Sequence, residues 1–285
     1  MGFKEYLQQK KYSSSTVSSY TKGIQKFLSW LQEEALQAET FTYNDLLDFI
    51  RYCYGKGISK NRVHSFLCMI RHYCNYLTCL KLRNDNPAAG IFIKGLSRKL
   101  PSNILSIEEM EALFKQYSLQ LNVDASKKIM LGLMIYQGLD VGDIARIQLQ
   151  HIKMGDGKVF IIGTNKTNER LLNLHAVQMS ELQSYLTKNK FKESSLFTEK
   201  RKNHVSPTNI GNRIAYMFKQ LRQLNPKVID TKQIRSSVIT EWLRKNNLRQ
   251  VQYMAGHRYV SSTERYRVSS MEDLQNELKE HHPMC

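Results

Sequence analysis

A chain of 285 residues with 41% hydrophobic side chains is long enough for two ordinary domains with cores of their own, which excludes a disordered tail. Its formal charge of +17 and pI of about 9.6 suit a polyanionic partner, either nucleic acid or acidic lipid. Acidic residues are interspersed throughout and no Lys/Arg block stands apart, so the charge belongs to a folded surface rather than to a basic arm.

In chain order, Ser13 to Thr16 supply N-cap chemistry for a helix whose apolar residues Val17, Tyr20, Ile24, Phe27, Leu28 and Leu31 recur at three- and four-residue spacing. A second helix is predicted from Tyr43 to Tyr54, started by Thr42 and stopped near Gly55 and Gly57. A third follows Ser59 and runs through Val63, Phe66, Ile70 and Leu77, until Asn84-Asp85-Asn86-Pro87 breaks the pattern. The spacing thus predicts an all-α unit of about four helices over residues 1–92, with Lys60, Arg62 and Arg71 on faces that can reach phosphates or simply meet solvent. Residues 93–104 read as a basic linker with Gly and Pro, containing Lys94, Arg98 and Lys99.

The second unit, 105–285, reads as mixed α+β. Ser106 with Glu109 three residues on forms a capping box for the first of its helices, predicted at Ser106–Tyr117, Ala125–Gln137 and Val141–Ile147. A β-branched segment at 158–163, a turn at 164–168 and a returning strand at 170–174 make a hairpin with Lys166 near its tip. Further helices are predicted at 176–186, 206–224, 231–245 and 248–254, and a tail helix at 268–280. Cys53, Cys68, Cys74, Cys79 and Cys285 are odd in number and form no CxxC pair, so they read as reduced thiols. With no apolar signal core and no membrane-length apolar run, the expected location is the cytoplasm, associated with the nucleoid.

The chemistry concentrates near the C-terminus. Gly256-His257-Arg258 is followed by Ser261-Ser262-Thr263 and then by Tyr266 between Arg265 and Arg267. A phenol with a pKa near 10 is a poor nucleophile unless cations or a base assist it, and the same cations would hold a phosphodiester. Ala255-Gly256-His257, eight residues, then Tyr266 resembles the last motif of the tyrosine recombinase (phage integrase) family, Leu-Gly-His-x8-Tyr. Lys232-Gln233-Ile234-Arg235 resembles that family's His-x-x-Arg at the start of a helix, and Lys166 resembles its hairpin lysine.

The resemblance covers nearly the whole chain. It implies a mainly α fold with a small β-hairpin or sheet, an N-terminal helical core-binding domain and a C-terminal α+β catalytic domain. It further implies that Tyr266 attacks the scissile phosphate to give a 3′-phosphotyrosyl link, that Arg235 binds non-bridging oxygens, that Lys166 protonates the departing 5′-oxygen, and that His257 and Lys232 assist. No cofactor is implied, and no metal either, since His257, His281 and His282 lack ligand spacing. The partner implied is double-stranded DNA, held by a protein monomeric in solution and tetrameric on two sites, with the tail helix exchanged between subunits.

One position departs from the pattern. Where the family carries Thr-Gly-Leu-Arg, this chain has Gln137-Gly138-Leu139-Asp140, with Asp143 as the acidic residue three positions on. Unit charges about 4 Å apart interact by roughly 4 kcal/mol at a dielectric near 20, so an aspartate beside a phosphorane is costly. Three readings stay open: Asp140 points away while another arginine supplies the charge, Asp140 positions such an arginine, or the enzyme is impaired. Arg146, Arg170 and Arg258 are the candidate substitutes. Arg146, six residues along a helix and about 240° round it, is expected to face elsewhere. The leading expectation is a site-specific recombinase. The alternatives are a type IB-like topoisomerase and a DNA-binding protein that keeps the fold without catalysis.

Overall fold

Helical periodicity and capping chemistry account for most of the architecture of the computed structural model, which describes residues 1–95, 103–120, 123–189, 194–197 and 207–267. The chain separates into two compact units, 1–98 and 99–285.

In the first unit, α1 (Phe3–Gln9), α2 (Ser14–Glu33), α3 (Tyr43–Gly55) and α4 (Lys60–Cys79) enclose an aromatic core. Ser13 caps α2 by accepting from the Thr16 amide, and Thr42 and Asp45 form a reciprocal capping box on α3. Phe27, Trp30 and Phe49 are buried together, with the Phe27 and Phe49 rings edge-on at 5.0 Å. Each such side chain contributes on the order of 2 kcal/mol by leaving water. Where α2 meets α4 the Met69 side chain lies over Gly23, so a Cβ there would require the thioether to shift.

In the second unit, α6 (Ala125–Gln137) is apolar almost all round and forms the centre, packed by α5 (Ile107–Ser118), α8 (Ala176–Lys188), α9 (Pro207–Leu224) and α10 (Thr231–Lys245). The short α7 (Val141–Arg146) packs on α9, and α11 (Leu248–Ala255) packs on α10. The expected hairpin belongs to a three-stranded antiparallel sheet, because a two-residue strand β1 (Ile152–Lys153) pairs with β2 (Lys158–Ile161), which pairs with β3 (Arg170–Asn173). Arg170 opens β3 directly opposite Ile161. No helix among the described residues is long and apolar enough to cross a membrane. The expected tail helix at 268–280 lies outside the described residues, as do Arg98, Lys99, His281 and His282.

Candidate active site

The site is assembled where two helices end on left-handed glycines. Gly138 (φ 57°) terminates α6 and Gly256 (φ 67°) terminates α11. Each end presents carbonyls that no longer have helical partners. Arg235, on α10, serves both: it donates from Nη1 to the Gly138 carbonyl and from Nη2 to the Ala255 carbonyl at 2.7 Å. A guanidinium is well suited here, because its fork spans two acceptors and its charge complements two negative helix ends.

Asp140 is not free to act as a loose charge. It is the N-cap of α7, and its Oδ1 accepts from the Asp143 amide at 2.7 Å. Aspartate is among the best residues for that position, where a cap contributes about 1 kcal/mol.

The carboxylate that organises the site belongs to Asp143, whose side chain is wholly buried. Arg170 Nη2 lies 2.6 Å from its Oδ2, Arg146 Nη2 3.0 Å from its Oδ1, and Arg235 Nη1 3.9 Å from its Oδ2. Arg170 is itself fully buried. Burial lowers its pKa from the ordinary arginine value, and Asp143 opposes that shift.

Arg146 does not face elsewhere, as its angular position on the helix suggested. Its side chain runs back along α7, so that Nη1 lies 3.2 Å from where a Cβ on Gly142 would stand, a point also 3.2 Å from Asp140 Oδ1. Side chains on a helix lean toward its N-terminus, and arginine is long enough for the lean to matter more than the direction of its Cα.

His257 follows Gly256 directly. Its Nδ1 lies 2.8 Å from the Thr263 hydroxyl, and its ring stacks on Tyr266 with centroids 5.8 Å apart and planes at 16°. Burial, reinforced by Arg235, Arg170 and Arg265, pulls its pKa down to about 4, so the ring is neutral at pH 7 and offers a nitrogen that accepts a proton. The Tyr266 ring packs against Ile239, Val251 and Ala255. Burial raises its pKa, against the opposing influence of Arg235, the Ser236 hydroxyl and Arg265, so the resting phenol keeps its proton.

The depressed value at His257 has a consequence for stability. Between pH 6.5 and about 4 the unfolded chain binds a proton at this histidine that the folded chain refuses, so stability falls as pH drops through that window. Melting temperatures of the wild type are therefore expected to decline more steeply from pH 6.5 to 4 than those of His257→Gln. Parallel curves would show that burial does not hold this ring neutral.

Lys166 lies in the exposed turn between β2 and β3, and that turn is tied to the His257 segment. The Asn168 amide donates to the Gly256 carbonyl at 3.0 Å, Thr167 and His257 form a backbone bridge, and Arg258 Nη1 donates to the Asn165 carbonyl at 2.8 Å. Arg258 therefore holds the turn. Lys232 is exposed in the first turn of α10.

In the first unit, Lys60 and Arg62 are exposed at the start of α4, where Arg62 lies over the Phe66 ring, and Lys94 is exposed. Arg71 differs: its Nε and Nη2 donate to the Ala88 and Ile91 carbonyls, fastening the segment that leaves α4. Asp143 as a hub and Thr263 as the partner of His257 were missed from sequence. The signals for them were an acidic residue three positions after 140 and a hydroxyl between the histidine and the tyrosine.

A family model described as the phage integrase family matches residues 103–273, and one for the phage integrase N-terminal SAM-like domain matches residues 1–79. Tyrosine recombinase XerC of Psychromonas ingrahamii is 25% identical over 287 residues, covering 96% of this chain and 92% of the relative. XerC of Bacillus subtilis is 25% identical over 292 residues, covering 99% and 95%. Among solved structures, XerH site-specific recombinase bound to difH substrate before cleavage matches with a TM-score of 0.69 at 16% identity, over 95% of this chain and 84% of that one. The Tn1549 transposon integrase in complex with circular intermediate DNA matches with a TM-score of 0.69 at 13% identity, over 96% and 99%.

Proposed function

The chain belongs to the phage integrase family, and on that footing we propose that it is a site-specific DNA recombinase that cuts and rejoins DNA through a 3′-phosphotyrosyl intermediate on Tyr266. The observation that carries this reading is the stacking of Tyr266 on a neutral His257 beside Arg235, in a chain of formal charge +17. Relatives named as tyrosine recombinases over nearly their full length support it.

The Tyr266 oxygen attacks the scissile phosphorus as the bond to the 5′-oxygen breaks. The phenol proton passes to the accepting nitrogen of His257, and the departing 5′-oxygen takes a proton from Lys166. Arg235 holds non-bridging oxygens as charge develops, with Lys232 as a further donor at the rim. The phosphotyrosyl link conserves the energy of the phosphodiester, so a second 5′-hydroxyl can attack it and reseal the strand without ATP. Lys60, Arg62 and Lys94 supply phosphate contacts from the first unit. The working assembly is a tetramer on two sites formed from monomers.

The test is covalent trapping. Wild-type protein is incubated with nicked suicide duplexes drawn from its own genomic flanks and then denatured. A protein–DNA adduct carrying the 3′ end is expected. Salt-sensitive binding with no adduct on any duplex would favour the second reading, a DNA-binding protein with a relic site, for which Asp140 is the argument. Relaxation of a supercoiled plasmid lacking such flanks would instead indicate a topoisomerase.

A further inference from the structure

Three guanidinium groups converge on the single buried carboxylate of Asp143, and they are not equivalent. Arg170 is sealed in, with no side-chain exposure. Arg235 spends one Nη on each of two helix-end carbonyls. Arg146 alone of the three combines an ion pair to Asp143 through Nη2 with a side chain 38% exposed. Its Nε, like that of Arg170, is buried without a hydrogen-bond partner, so this state does not separate the two. Formally, three arginines against Asp143 and Asp140 leave the cluster one positive charge in excess. A single phosphodiester would balance it.

We propose that Arg146 is the second phosphate-binding cation of the site, gripping a non-bridging oxygen of the scissile phosphodiester alongside Arg235. This rests on the recombinase reading and names the group that offsets Asp140. Asp143 positions it: the carboxylate holds Arg146 at 3.0 Å and lies 3.9 Å from Arg235, so the two cations share one anchor. Gly142 makes room for it. That glycine has no left-handed φ to explain it, yet a Cβ there would press on the Arg146 Nη1 atom at 3.2 Å. The Asp140 Oδ1 is occupied as a helix cap, and it and Arg146 Nη1 each lie 3.2 Å from where a Cβ on Gly142 would stand.

The experiment uses the full-length protein and a suicide duplex whose scissile position has been mapped from the wild-type adduct. That duplex is made in two forms, with the ordinary phosphodiester and with a methylphosphonate, which lacks one non-bridging negative charge. On the phosphodiester, Arg146→Ala is expected to form adduct about 100- to 1,000-fold more slowly than wild type, the loss typical of removing one transition-state donor. On the methylphosphonate, the same variant is expected to approach the wild-type rate, because the charge it neutralised is gone. Arg146→Lys, which keeps the ion pair with Asp143 but not the fork, is expected to fall between, and it carries the comparison should the alanine variant fold poorly.

Equal losses on both duplexes would reduce Arg146 to a structural role and overturn the proposal. So would an Arg146→Ala rate on the phosphodiester matching wild type. A wild-type adduct with either of these results removes this inference alone, whereas no wild-type adduct on any duplex removes the recombinase reading with it.

Discussion

Tyr266→Phe is expected to abolish covalent adduct formation, a loss of at least about 10⁴-fold, while leaving DNA binding and its salt dependence unchanged. The variant removes a single oxygen. The ring remains stacked on His257 and packed against Ile239, Val251 and Ala255, so neither the α10–α11 contact nor the loop between them should move. What disappears is the only atom in that position able to form a bond to phosphorus. Gel-shift titrations at several salt concentrations, run beside the trapping assay, separate the two functions. An undiminished adduct would transfer the nucleophile to another residue, and Tyr253 and Tyr259, both exposed on the same stretch, would be examined next.

Asp143→Asn is expected to be the most destabilising single change in the site. The asparagine fits the space but leaves Arg170 fully buried without its paired carboxylate, and breaking a buried pair from one side costs about 3–5 kcal/mol. For a unit of this size that corresponds to a drop of roughly 6–20 °C in Tm. Adding Arg170→Met should restore much of the lost stability, since an apolar residue of similar volume often replaces a buried ion pair without penalty. It should not restore adduct formation, because Arg146 would still lack its anchor. Thermal unfolding of the single and double variants checks both halves. A single variant that melts with the wild type would mean that Asp143 is not the hub its distances indicate.

Most of the fold was legible because its signals are local. Thr42 with Asp45, and Ser106 with Glu109, announce helix starts within four residues, and the predicted helices at 43–54 and 125–137 end within a residue of those observed. The stretch from Gly256 to Tyr266 was readable for the same reason: histidine, hydroxyls and tyrosine lie within eleven positions, and the loop folds on itself. The strand Ile152–Lys153 was missed because two residues carry no alternation.

The arginine cluster was illegible for a different reason. Its members at 146, 170 and 235 lie on separate elements, and only the tertiary structure reveals that one carboxylate gathers them. Arg146 was judged by the direction of its Cα, which understates the reach of a side chain lying back along its own helix. Asp140 was weighed as a misplaced charge, although an aspartate just before Val141-Gly142-Asp143 is also an ordinary helix cap. Arg71 was read as reaching phosphate or meeting solvent, and sequence cannot show the Ala88 and Ile91 carbonyls to which its Nε and Nη2 donate.

The ties between the 164–168 turn and residues 256–258 bear on how this protein could be re-engineered. Lys166 and His257 stand 91 positions apart in the chain, yet the backbone binds their segments into one patch. Chimeras that import the hairpin from a relative, leaving the histidine loop behind, would sever that seam and misplace Lys166 and His257 together. The exchangeable module is the pair of segments.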